Sequence, residues 1–131
     1  MRVLLVDDHI LFREGLSSLL TRLPDIHVIG TAETVSETVE KARNLRPDLI
    51  LINFYLSDGN GLEATQAILA ERPATNIVLL TTCDKDERLF EAIRFGAVGY
   101  LNKSISLKKF LAYIRSIKVN NGGTTKPVMI H

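Results

Sequence analysis

Five polar residues follow short apolar runs at widely separated points of the sequence. They are Asp7 and Asp8 after "RVLLV" (2–6), Asn53 after "LILI" (49–52), Thr81 at the end of "NIVLLT" (76–81), and Lys103 shortly after "VGYL" (98–101). Two adjacent carboxylates suit a hard divalent cation such as Mg²⁺, which takes oxygen ligands. A hydroxyl and an ammonium group are donors for the oxygens of a phosphoryl group beside that cation. The set therefore indicates metal-assisted phosphoryl chemistry, provided that the fold brings its members together.

The alternation of apolar runs and amphipathic segments predicts five strands, each followed by a helix. We expect strands over 2–6, 26–32, 48–52, 76–81 and 98–101, and helices over 10–23, 35–45, 62–71, 86–95 and 106–119. Continuous apolar strands are typical of a parallel sheet covered by helices on both faces. With right-handed crossovers, this pattern favours an α/β sandwich of three layers with the strand order 2-1-3-4-5. The C-terminal ends of all parallel strands lie at the same edge of such a sheet. The five polar residues, which follow those ends, should therefore lie together.

The composition indicates one domain of ordinary globular character. The 131 residues carry a net charge of +1, a balance that gives no basic surface for nucleic acid by itself. The longest apolar runs are too short to cross a bilayer, and "RVLLVDD" begins too early to leave room for a secretory signal. Cys83 is the single cysteine of the sequence, so no internal disulfide can form. We expect a cytoplasmic protein that does not contact the membrane.

The residues around the five positions resemble the receiver domain of two-component response regulators, nearest the NarL/FixJ type. The similar stretches are "VLLVDDH" (3–9), "REGL" (13–16), "RPDLILINFYLSDGNGLEA" (46–64), "IVLLTT" (77–82) and "FGAVGYLNKS" (95–104). The resemblance implies a flavodoxin-like (βα)5 receiver domain over residues 1–119. It also implies a role in phosphorelay signalling and transcription regulation, as a phosphoacceptor domain and not as an enzyme.

The resemblance implies a magnesium site at the start of the chain and around position 53. Asp7 and Asp8 are similar to the acidic pair that holds Mg²⁺ in the family, and the backbone carbonyl of Tyr55 would be a further ligand. Position 53 corresponds to the phosphoacceptor and would also lie beside the metal.

Three other residues resemble the groups that respond to the phosphoryl group. Thr81 is similar to the switch hydroxyl, and Lys103 is similar to the lysine that pairs with the phosphoryl oxygens. Tyr100 is similar to the switch aromatic whose rotamer follows the threonine, although an aromatic at the edge of the core would also explain this residue.

The main departure from the family pattern is Asn53, where the family has an aspartate. An amide oxygen is a far poorer nucleophile than a carboxylate, and it carries no charge to attract Mg²⁺. We therefore expect weakened Mg²⁺ binding and a domain that is locked in the unphosphorylated state. An engineered block and a natural pseudo-receiver both fit this sequence.

The resemblance also implies partners. We expect a sensor histidine kinase, and a homodimer through either the fourth helix, fifth strand and fifth helix or the first and fifth helices. Regulators of the NarL/FixJ type bind DNA through a C-terminal helix-turn-helix domain. Residues 120–131 contain Gly122, Gly123 and Pro127, which disfavour a helix, and we expect them to begin the linker to such a domain.

Several alternatives remain open on the sequence. The acidic pair could simply cap the first helix. Asp58 could serve as a substitute acceptor, although "SDGNG" is typical of a turn, and His9 could contact the acidic pair. The whole chain could instead be a phosphotransferase or phosphatase of the aspartyl-phosphate type, or a small flavin- or nucleotide-binding protein of the same topology.

Overall fold

The computed structural model describes residues 1–117, so the predicted linker over 120–131 and the end of the last predicted helix lie outside the described residues. Within the described range no helix combines the length and the apolar character that crossing a membrane requires. The strands are β1 (Arg2–Val6), β2 (His27–Ala32), β3 (Leu49–Asn53), β4 (Tyr55–Leu56), β5 (Gly59–Asn60), β6 (Asn76–Thr81) and β7 (Gly99–Asn102). The helices are α1 (Ile10–Thr21), α2 (Val35–Leu45), α3 (Gly61–Glu71), α4 (Glu87–Arg94) and α5 (Leu107–Ser116).

Five strands form one sheet in the order β2-β1-β3-β6-β7. All neighbouring pairs in it are parallel. Counted as the five main strands, this is the order 2-1-3-4-5, so the predicted fold class and strand order are confirmed. The register places Asn53 opposite Leu80, and Thr81 opposite Asn102, at the carboxyl edge of the sheet.

Helices cover both faces of the sheet and make two separate cores. One core joins the sheet to α2, α3 and α4 through residues such as Ala42, Ile68 and Leu89. The other joins it to α1 and α5 through residues such as Leu20 and Ile114. Apart from Arg2 at the start of β1, the central strands are buried along their length, as expected for strands that are packed on both faces.

A short hairpin that the sequence pattern did not predict follows β3. Strands β4 and β5 are antiparallel, with Tyr55 opposite Asn60. At its tip the Asp58 carboxylate accepts hydrogen bonds from the backbone amides of Val35 at 2.7 Å and Ser36 at 3.1 Å. These amides lower the pKa of Asp58, and the contact explains this carboxylate as a tether between the hairpin and the start of α2.

Leu19 and Leu107, two leucines within the apolar helical segments α1 and α5, are exposed. Leu19 is 40% exposed and Leu107 is 47% exposed. Leu19 precedes the buried Leu20 and is therefore turned about 100° away from the face of α1 that packs on the sheet. Leu107 is the first residue of α5 and lines an open cavity between α1 and α5.

Candidate functional site

The carboxyl edge of the sheet gathers most of the residues that the sequence singled out. A cavity of about 220 Å³ at this edge is lined by Asp8, His9, Asn53, Tyr55, Leu56, Ser57, Thr82 and Lys103. The lining residues lie at or just after the ends of β1, β3, β6 and β7. The cavity therefore brings together residues from Asp8 to Lys103, which are far apart in the sequence. The edge offers carboxylate, amide, carbonyl and ammonium groups within one small space.

Lys103 and Asp7 form an ion pair that is almost fully buried. The Lys103 Nζ donates to Asp7 Oδ2 at 2.6 Å, and the two side chains are 10% and 3% exposed. The same ammonium lies 4.3 Å from the centre of the Phe12 ring, a cation–π contact. The backbone amide of Lys103 donates to the Thr81 carbonyl at 2.7 Å, which fixes where the lysine leaves the end of β7.

The second oxygen of Asp7 faces His9. Asp7 Oδ1 accepts from the His9 backbone amide at 2.9 Å and lies 3.0 Å from His9 Nδ1. The same ring nitrogen lies 3.6 Å from Asp8 Oδ1. Ligand atoms of these three residues lie within 4.8 Å of one another, close enough to share a metal ion. The N-cap position of α1 is occupied by His9 and not by either aspartate. Capping therefore does not explain the acidic pair.

Asn53 is buried at the end of β3 and uses its amide as a donor. The Asn53 Nδ2 donates to the backbone carbonyl of Tyr55 at 2.7 Å. A carboxylate at this position could not make that bond, because an ionised carboxylate only accepts. The amide group therefore satisfies the same carbonyl that the family resemblance implies as a metal ligand.

Thr81 and Tyr100 do not line this cavity. The Thr81 hydroxyl donates to the Cys83 carbonyl at 2.8 Å and accepts from the Cys83 amide at 3.0 Å. Tyr100 is fully buried, its ring packs edge-on to Phe90 at 6.0 Å, and burial raises its pKa. The thiol of Cys83 is free and exposed. In this structure the predicted switch hydroxyl is engaged within its own loop, and the predicted switch aromatic belongs to the core.

Sequence reasoning missed a cluster that Asp86 and Arg88 form with Tyr55, a residue that lines the cavity. The Tyr55 hydroxyl donates to Asp86 Oδ2 at 2.5 Å, and the Arg88 guanidinium donates to both oxygens of Asp86 at 2.8 and 3.1 Å. Arg88 and Tyr55 together hold the pKa of Asp86 well below its usual range, and the carboxylate raises the pKa of Tyr55. An Asp before a helix is a recognisable N-cap signal, but no local pattern predicts its contact with Tyr55.

The buried ion pair generates a first prediction. Replacing Lys103 by Met would leave the Asp7 carboxylate buried without its cation, which should lower the free energy of unfolding by about 3–5 kcal/mol. Urea unfolding followed by circular dichroism would measure this loss. Lys108→Met, at an exposed position of α5, is the matched control and should change stability by less than about 0.5 kcal/mol. Equal effects of the two substitutions would contradict the account.

Comparison with known proteins agrees with this geometry. The family model described as the response regulator receiver domain matches residues 3–115. The response regulator GacA of Pseudomonas viridiflava is 35% identical over 117 residues, which cover 89% of this chain and 55% of that protein. The response regulator protein VraR of Staphylococcus saprophyticus is 33% identical over 130 residues, which cover 99% of this chain and 62% of that protein.

A solved structure is similar over most of its length. It is a two-component response regulator of the LuxR family from Aurantimonas sp. SI85-9A1, with a TM-score of 0.82 and 30% identity over 88% of this chain and 82% of that one. This chain thus spans about 55–62% of the length of the two curated relatives. The matched family model, these relatives and the five-stranded sheet together identify the chain as a member of the response regulator receiver domain family.

Proposed function

We propose that this chain is the receiver of a transcriptional response regulator of the NarL/FixJ type, and that Asn53 keeps it from accepting a phosphoryl group. The observation that carries the proposal is the position of Asn53: it ends the central strand β3 and lines the same cavity as Asp8 and Lys103. The domain acts as a signalling and binding module and not as an enzyme.

The missing chemistry is a single nucleophile. In a competent receiver a carboxylate at position 53 would attack the phosphorus of a phosphohistidine on the sensor kinase. An oxygen–phosphorus bond would form as the phosphorus–nitrogen bond breaks, and the released imidazole would take up a proton. The Asn53 amide has its nitrogen lone pair delocalised and donates a hydrogen bond to the Tyr55 carbonyl at 2.7 Å, so it offers no comparable nucleophile.

Magnesium would be held by oxygen donors of Asp7, Asp8 and the Tyr55 carbonyl, where it would supply positive charge beside the transferred phosphoryl group. These donors are of the right kind for Mg²⁺, but two of them are already engaged. Asp7 pairs with Lys103 at 2.6 Å, and the Tyr55 carbonyl accepts from Asn53. The charge missing at position 53 weakens attraction for the cation by about 1–4 kcal/mol. We therefore propose that this site binds Mg²⁺ more weakly than a site with aspartate at position 53 would.

Thr81 and Lys103 are the residues that would respond in a competent form. Lys103 would exchange Asp7 for a phosphoryl oxygen, and the Thr81 hydroxyl would leave Cys83 for another. The movement would reach Tyr100 and the face made by α4, β7 and α5. Because Asn53 prevents the first step, these contacts persist, and the domain stays in its unphosphorylated arrangement while it can still bind a kinase or another subunit.

DNA binding would come from outside this domain. The chain covers 55% and 62% of its two relatives, and the solved relative belongs to the LuxR family. A C-terminal helix-turn-helix domain, joined through residues 120–131, would therefore supply any contact with DNA.

Intact mass spectrometry tests the proposal. The chain would be incubated with a small phosphoramidate donor and Mg²⁺ beside Asn53→Asp, and beside Asn53→Asp with Asp58→Ala. We expect one added phosphoryl group on both variants and none on the Asn53 chain, because only position 53 supplies the nucleophile. Asp58→Ala is the control for the spare carboxylate, which is engaged at the start of α2. An adduct on the Asn53 chain, or none on Asn53→Asp, would refute the assigned role of position 53.

The exposed apolar residues favour one of the two faces for a homodimer. Leu11 on α1 is 87% exposed, and Leu19 and Leu107 are also exposed. They line an open cavity of about 310 Å³ between α1 and α5. Gly15 lies between the two α1 leucines and presents no side chain, so a second helix can approach closely. We propose that two copies associate through α1 and α5.

Substitution on each face separates the two dimer models. Leu11→Gln removes an apolar group from the α1–α5 face, whereas Phe95→Gln makes the matched change at an exposed apolar position following α4. Sedimentation equilibrium should show self-association weakened about tenfold or more by Leu11→Gln and unchanged by Phe95→Gln. The reverse pattern would instead favour the face made by α4, β7 and α5.

A further inference from the structure

Tyr55 is held at both ends, and its two attachments lead to different parts of the domain. Its backbone carbonyl accepts from the Asn53 side chain at 2.7 Å. Its hydroxyl donates to Asp86, 31 residues further along the chain, at 2.5 Å. The residue therefore forms a direct connection between position 53 and the start of α4.

The attachment at Asp86 matters because this carboxylate caps α4. Asp86 Oδ1 accepts from the Arg88 backbone amide at 2.9 Å, and the Asp86 carbonyl accepts from the Leu89 amide at 3.0 Å. An N-cap carboxylate satisfies amide groups that a helix leaves without partners, and its charge complements the helix dipole. A force that draws the Tyr55 hydroxyl away from Asp86 therefore acts on the first turn of α4.

Arg88 packs against the aromatic rings of Phe54 and Tyr55, the two residues that follow position 53. Its guanidinium lies 5.7 Å from the centre of the Phe54 ring and 6.0 Å from that of Tyr55. The two rings pack edge-on at 5.0 Å, and Phe54 is fully buried. The segment that follows position 53 is thus packed between the core and the guanidinium. A shift of its backbone should therefore also move the Tyr55 hydroxyl relative to Asp86.

We infer that the cluster of Tyr55, Asp86 and Arg88 couples the side chain at position 53 to the first turn of α4, by a route that does not pass through Thr81 and Tyr100. The inference rests on the proposed role of position 53. An aspartate there removes the donor for the Tyr55 carbonyl and places a negative charge against that oxygen. The Tyr55 backbone then moves, its hydroxyl leaves Asp86, and the first turn of α4 opens more often.

Amide hydrogen exchange of α4 tests the coupling in four proteins: the Asn53 chain, Tyr55→Phe, Asn53→Asp, and the two substitutions combined, all in chelator. Tyr55→Phe keeps the ring and removes only the hydroxyl. We expect it to speed exchange at Leu89 and the next amides of α4 by about three- to tenfold, the size of one lost hydrogen bond. Asn53→Asp should do the same, and the combination should exchange no faster than either alone.

Two results would overturn the inference: unchanged α4 exchange in Tyr55→Phe, or effects of the two substitutions that multiply in the combination. Tyr113→Phe on α5 is the matched control and should leave α4 exchange unchanged. The amides of β3 report global stability in every sample. The phosphorylation assay on Asn53→Asp keeps the two proposals apart, since an adduct with no effect of Tyr55→Phe on α4 refutes the coupling and leaves the role of position 53 standing.

Discussion

The buried pair of Lys103 and Asp7 is the interaction on which the carboxyl edge of the sheet depends. Nζ and Oδ2 are 2.6 Å apart, and neither side chain is substantially exposed. In that environment either charge alone would be costly, because removing one partner leaves the other desolvated and uncompensated. The pair reaches across the edge from the end of β7 to the end of β1, past the ends of β6 and β3, and Lys103 lines the same cavity as Asn53.

Asn53 completes an edge that is satisfied without an added cation. Lys103 forms an ion pair with Asp7, and the Asn53 amide donates a hydrogen bond to the Tyr55 carbonyl. A third carboxylate beside Asp7 and Asp8 would instead add repulsion that a divalent cation relieves. On the proposed role of position 53, an amide in place of a carboxylate would remove the nucleophile and would also reduce the need for metal.

The sheet and most of the site could be predicted from the sequence, because apolar runs and strand-end residues are local signals. Parallel strands bring Asp8, Asn53 and Lys103 to one edge once the strand order is known. Two features could not be predicted: the hairpin of β4 and β5, and the bond between Tyr55 and Asp86. Each depends on tertiary contacts between segments whose separation and orientation no spacing rule encodes.

Thermal unfolding of the Asn53 chain and of Asn53→Asp, each in chelator and in Mg²⁺, tests most directly whether the amide makes this edge independent of metal. Asn60→Asp is the matched control, because asparagine and aspartate are equally good N-caps and Asn60 caps α3. We expect that Asn53→Asp alone lowers the melting temperature in chelator and that Mg²⁺ restores it, while the Asn53 chain responds little to Mg²⁺. An unchanged or higher melting temperature of Asn53→Asp in chelator would contradict it.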